Sequence, residues 1–199
     1  MAEVSASMIK ELRVRTNAGI MDCKEALQEA SGDMEKAVDF LRKKGLATAL
    51  KRAGRETSEG QIGSYIHIGG KIGVLVEVNC ETDFVGKTDE FKEFVKNLAM
   101  HIAATKPLGI GREDVSEEVV KREEDIYRAQ AQEMGKPENI LDKIVQGKME
   151  KFYKEACLLE QQYVKDTDMT IQDLVNEMVS KTGESISVRR FARYQLGGE

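Results

Sequence analysis

By residue type, the one covalent chemistry this sequence offers is a cysteine nucleophile. Cys80 closes a β-rich run and His101 lies on the helix predicted after it, and a strand end and a following helix can bring thiol and imidazole together. Cys80 also follows an apolar run, which suits a small packed hydrophobe. The histidines are His67 and His101 alone, far apart and without a carboxylate–histidine pattern, and they read as structural or surface groups. Cys23, Cys80 and Cys157 form no C-x-x-C pair, so neither a zinc site nor a disulfide framework is expected. Gly69-Gly70-Lys71-Ile72 lacks the spacing of a phosphate loop, and Gly109-Ile110-Gly111 has no third glycine for a dinucleotide site. No catalytic residue, metal ligand or cofactor is assigned, and the chain is expected to work by binding.

Two segments break local rules without supplying such chemistry. In Thr82-Asp83-Phe84-Val85-Gly86-Lys87 a Phe-Val pair sits between a strand and a helix cap, where turn residues are usually polar. Either Phe84 folds back into the core, or it projects as an aromatic anchor for a partner, with Asp83 adding charge or a cap. In the second segment the turn Thr16–Gly19 is followed at once by Ile20 and Met21. These two either start a helix and pack inward, or form an apolar knob ringed by Arg13, Arg15 and Lys24.

The elements that must hold these segments follow from periodicity and caps. Ser5 caps a helix bearing Met8, Ile9 and Leu12. A second runs from about Ile20 to Ala30, and Asp33 caps a third with Met34, Ala37, Val38 and Leu41, which Gly45 is expected to end. A further helical piece, 46–53, leads to a linker at 54–60. Two β-rich runs, about 61–68 and 71–79, flank Gly69-Gly70 and read as a hairpin with a two-residue turn. Thr88 or Asp89 caps a helix carrying Phe91, Phe94, Val95, Leu98 and Ile102. The stretch 115–163 is helical and highly charged, with Pro137 opening a helix that aligns Ile140, Ile144, Val145, Met149 and Phe152. A turn region at 164–169 and a short helix at 170–180 precede a third strand, about 186–196. The fold class is α+β, with a three-helix domain at 1–54 and, at 55–199, a core of three antiparallel strands packed with helices.

Composition narrows the partners. The 199 residues carry a net charge of −5, which argues against general nucleic-acid binding. Residues 1–55 hold 11 Lys+Arg against 8 Asp+Glu, a net +3, so the basic piece suits an acidic protein surface. The first residues lack the order of a signal peptide, and no apolar run reaches the 18 or so residues of a membrane span. The expected location is the cytoplasm.

Both unusual segments resemble the signature regions of bacterial translation elongation factor Ts. The N-terminal one matches Leu12-Arg13-x-x-Thr16-x-x-Gly19-Ile20-x-Asp22-x-Lys24-x-Ala26-Leu27; the other matches Glu77-Val78-Asn79-x-Glu81-Thr82-Asp83-Phe84-Val85-x-Lys87. Their order and separation agree, as does the late Gly183-Glu184-x-Ile186. Gly86 stands where Ala or Ser is commoner, which is expected to loosen the helix start. The resemblance implies a guanine-nucleotide exchange factor for elongation factor Tu, not an enzyme. It also implies that the N-terminal helices form a ubiquitin-associated (UBA)-like domain docking the GTPase through Arg13, Ile20, Met21 and Lys24. By the same resemblance Thr82, Asp83, Phe84 and Val85 form the loop that dislodges Mg²⁺, so that GDP leaves. Short members of the family are symmetric dimers, and a homodimer is expected through the faces of Ile140–Phe152 and Ile186–Leu196. The cysteine that can bridge protomers in such members is matched here by Ala192, so no such bridge is expected. The alternative is a UBA-type adaptor without exchange activity, for which Phe84 would be dispensable.

Overall fold

A computed structural model describes residues 4–16, 18–52, 54–133 and 137–198. Its residues cluster into two units. The first comprises Met1–Gln61, Val78–Phe94 and Asp173–Ser187; the second comprises Ile62–Glu77, Val95–Gln172 and Val188–Glu199. Strands and helices together make the fold α+β.

The first unit begins with α1 (Ala6–Thr16), α2 (Ile20–Glu29) and α3 (Met34–Arg52). Side-chain oxygens cap two of them as the sequence predicts. Ser5 Oγ accepts from the Met8 amide at 3.3 Å, and Asp33 Oδ1 accepts from the Glu35 and Lys36 amides at 3.1 Å each. Between α2 and α3, Ser31 and Gly32 take left-handed conformations, which returns the Gly32 amide to the Leu27 carbonyl at 2.8 Å. Leu12, Cys23, Ala26, Leu27 and Ala37 form a fully buried cluster, with Met8, Ile9, Val38 and Leu41 packed around it.

Helix α3 does not stop at Gly45. It runs unbroken to Arg52, and the expected break is replaced by a packing position. Gly45 is buried, and a Cβ there would lie 3.5 Å from Ser180 Cβ, so the small residue lets α3 approach the helix that carries Ser180.

Strands β1 (Glu59–Ile66), β2 (Ile72–Cys80) and β5 (Ile186–Gln195) form a three-stranded sheet in the order β1-β2-β5. The β1–β2 connection is longer than the expected two-residue turn. The His67 amide bonds the Ile72 carbonyl at 2.9 Å, enclosing residues 68–71, and both Gly69 and Gly70 take positive φ. Along β2, Val74, Val76, Val78 and Cys80 are buried in strict alternation.

In the second unit, α6 (Glu117–Glu133) and α7 (Glu138–Ala156) pack together, and the short strands β3 (Gln162–Tyr163) and β4 (Asp166–Thr170) pair as an antiparallel hairpin. The sequence predicts only a turn at 164–169, where Asp166 and Asp168 disfavour a strand. The apolar face of α7 is used in part within this unit. Val145 and Met149 of the predicted face are buried and Ile144 and Phe152 half-buried, while Ile140 is exposed. Arg112 is bidentate to Glu150, bonds Glu160, and lies 4.5 Å from the Tyr153 ring centroid. No helix among the described residues is long and apolar enough to cross a membrane.

Candidate functional site

Where β2 ends, the chain turns into a single helical turn, α4 (Asp83–Gly86), rather than an open loop. Thr82 is its N-cap, extended at φ −127°, and its Oγ1 lies 3.5 Å from the Val85 amide that it caps. A one-turn helix divides its four residues by face. Val85 is 6 % exposed and Gly86 is buried, while Asp83 and Phe84 point outward. Phe84 is 77 % exposed, which is unusual for an aromatic in an ordered turn.

The inward residues explain this presentation. A Cβ on Gly86 would lie 3.3 Å from both Cα and O of Gly60, so the turn rests directly on the β1 backbone. Gly86 is thus a contact residue at the end of α4, and the next helix, α5 (Asp89–Thr105), is capped by Thr88 Oγ1, which accepts from the Phe91 amide at 3.3 Å. Asp83 pairs with Lys87 one turn later, and the Lys87 ammonium holds its carboxyl below the usual aspartate range.

Behind the turn lies a feature not read from the sequence. Thr82 gives its amide to Glu184 Oε2 at 3.0 Å and its hydroxyl to Glu184 Oε1 at 2.6 Å. In the opposite direction, Glu81 Oε1 accepts the Ser185 amide at 2.7 Å. Glu81 also binds Arg52 at 3.1 Å and Arg55 at 3.3 Å, and its side chain is only 19 % exposed. The Ser185 amide, followed by the two arginines, holds the Glu81 carboxyl below the ordinary glutamate range despite partial desolvation. Two crossed carboxylate–amide bonds thus tie residues 81–82 to 184–185. Glu81 and Glu184 stand in the motifs quoted above; only their pairing across about a hundred residues was invisible.

The second candidate segment lies on the same unit. Arg13, Ile20 and Met21 line a shallow hollow together with Ala18, Gly19, Asp22, Ser180 and Lys181. Ile20 is 55 % and Met21 72 % exposed, so neither packs inward. Lys24 is exposed and follows Ile20 by one turn of α2, but it does not line the hollow. Lys181 and Ser180 were missed because they come from α8 (Ile171–Thr182), far along the chain.

The nucleophile reading fails on both members. The Cys80 thiol is fully buried, bonds the Thr82 carbonyl at 3.0 Å, and is pushed up from its ordinary value, chiefly by burial. His101 is also fully buried. Its Nδ1 accepts from the Val164 amide at 3.3 Å, which leaves Nε2 to donate to Gln161 Oε1 at 2.9 Å. Both ring nitrogens are engaged, and burial lowers its pKa.

The family profile described as Elongation factor TS matches residues 6–198. The elongation factor Ts of Desulfosudis oleivorans is 66 % identical over 197 residues, covering 99 % of this chain and 100 % of the relative. That of Syntrophobacter fumaroxidans is 64 % identical, covering 99 % and 98 %, and that of Moorella thermoacetica is 60 % identical, covering 98 % and 96 %. With a profile spanning nearly the whole sequence and relatives this similar over their full lengths, the chain belongs to the elongation factor Ts family.

Proposed function

We infer that this chain is a guanine-nucleotide exchange factor that binds elongation factor Tu·GDP, dislodges its Mg²⁺ and releases GDP during translation elongation. Family membership carries the exchange role. The observation that supports the mechanism is the presentation of Phe84: a ring left 77 % exposed on a turn whose other face is buried. In this reading Asp83 and Phe84 enter the GTPase beside its Mg²⁺ site, with Thr82 and Val85 fixing the turn. Arg13, Ile20, Met21 and Lys24 dock the nucleotide-binding domain, residues 1–54 acting as a UBA-like anchor and 55–199 as the core, in the cytoplasm. An anchor that grips every nucleotide state equally adds affinity but moves no equilibrium, so exchange must come from contacts made in the nucleotide-free state.

A homodimer belongs to the same reading. In the second unit the sheet face opposite the buried valines of β2 carries Ile62, Ile66, Leu75 and Tyr194, exposed at 70, 66, 50 and 71 %. Such an open apolar face suits a second copy of the chain. Release of a fluorescent GDP from elongation factor Tu tests the exchange role: strong acceleration by micromolar chain is expected, and an unchanged rate refutes it.

A further inference from the structure

We propose that Glu184 and Glu81 are positioning residues for exchange, and that their crossed bonds to the residue 82 and 185 amides hold the Phe84-bearing turn in its working orientation. This rests on the reading that Phe84 is the part that acts on the GTPase. The geometry gives each carboxylate a separate task. Glu184 holds the cap residue of α4 by two groups, the Thr82 amide and hydroxyl. Because Thr82 also caps Val85, any movement of Thr82 swings the turn as a piece. Glu81 secures the other side, fastening the Ser185 amide while itself held by Arg52, at the C-terminal end of α3, and by Arg55 just beyond it.

The turn contacts its own unit from behind through the Gly86–Gly60 approach, which is backbone against backbone and fixes depth more than direction. The Glu184 bonds fix direction. The ring stands two residues beyond a cap whose amide and hydroxyl share this one bidentate acceptor; without it the Cys80 thiol on the Thr82 carbonyl and the buried Val85 are left to restrain the turn. Truncating Glu184 therefore leaves the docking hollow and Phe84 themselves intact while freeing the turn to sample other orientations.

The chain has no tryptophan, so Phe84→Trp places a single indole reporter on the turn. In that background Glu184→Ala is expected to lower the fluorescence anisotropy of the indole, and Glu184→Gln, which keeps one acceptor oxygen, to recover part of it. In the natural background Glu184→Ala is expected to lower the maximal rate of fluorescent-GDP release about tenfold, the equivalent of one charge-assisted hydrogen bond, with the half-saturating concentration changed less than about twofold. A loss confined to half-saturation, or unchanged anisotropy and rate, overturns the proposal. Should Glu184→Ala not fold, Glu184→Gln carries the test: a smaller change of the same sign supports the clamp, and none overturns it. If Phe84→Ala itself leaves release unchanged, the functional reading fails, while the indole anisotropy of the Phe84→Trp chain still decides whether the clamp orients the turn.

Discussion

Replacing Phe84 by alanine separates function from stability in a way few aromatic substitutions allow. The ring contributes little to the fold, because 77 % of the residue is exposed. Folding stability should therefore change by no more than about 0.5 kcal/mol, the usual range for a surface site. Burying a phenylalanine fully contributes about 1.5–3 kcal/mol. With roughly three-quarters of that still unrealised in the free chain, docking the ring in a partner yields about 1.2–2.3 kcal/mol, a factor of about 7–50 in rate if it is expressed only in the nucleotide-releasing state. The assay is stopped-flow release of a fluorescent GDP from elongation factor Tu at saturating Phe84→Ala chain, beside a thermal melt of the variant alone. A thousandfold exchange effect requires roughly 4 kcal/mol. The variant should thus retain measurable activity, the remainder arising from lost Mg²⁺ contacts and other interactions. Release as fast as with the natural chain refutes the reasoning. So does a melting point lowered by many degrees, which would mean the ring was serving the fold.

Three further outcomes follow from particular contacts. Gly45→Ala should raise the melting temperature by a few degrees, since a mid-helix glycine costs about 1 kcal/mol against alanine and the added Cβ meets Ser180 at an ordinary 3.5 Å; a lower melting temperature would show that the helices cannot accommodate it. His101 is held neutral in the fold and its pKa is depressed, so the unfolded chain binds more protons below pH 6.5. Stability should then fall as pH drops from about 6.5, by at most about 1.4 kcal/mol per pH unit, and His101→Asn should flatten that slope in pH-dependent melts. Tyr194→Asp on the open sheet face should convert a particle of about twice 22.2 kDa to one of that mass by light scattering; a monomeric natural chain removes the dimer.

Much of this architecture was legible because it is local. Ser5 and Asp33 cap the helices they precede, and Leu12, Ala26, Leu27 and Ala37 recur at helical spacing and are buried together. Sequence left two fates open for Phe84, Ile20 and Met21, inward or outward, because exposure depends on what lies behind the chain. For Phe84 part of the answer lies in Gly86 and Gly60, whose contact sets the depth of the turn with Val85 inside, so that Phe84 falls on the outer face. Gly45 misled for a related reason: a glycine that breaks a helix and one that admits a neighbouring helix have the same letter. The β3–β4 hairpin was not legible because its strands are two and five residues long and two of those five are Asp, which strands disfavour. The crossed bonds of Glu81 and Glu184 lay furthest from reach, since charge-assisted pairing between residues a hundred apart leaves no periodic trace.

The clamp also bears on why an exposed ring can act as a lever at all. A phenylalanine on a slack loop would lose conformational freedom when it enters a partner, and ordering a loop offsets much of what its burial contributes. Here the loss is met during folding. Thr82 is fixed by Glu184, Glu81 is fixed by two arginines and an amide, and Gly86 is seated against Gly60 before any partner arrives. Apolar surface that stays exposed while its backbone is already ordered keeps most of its transfer free energy available for the bound state. That surplus appears as coupling to the nucleotide only if the pocket receiving Phe84 is open in the nucleotide-free GTPase and closed in the GDP form, because a contact made equally in both changes neither population.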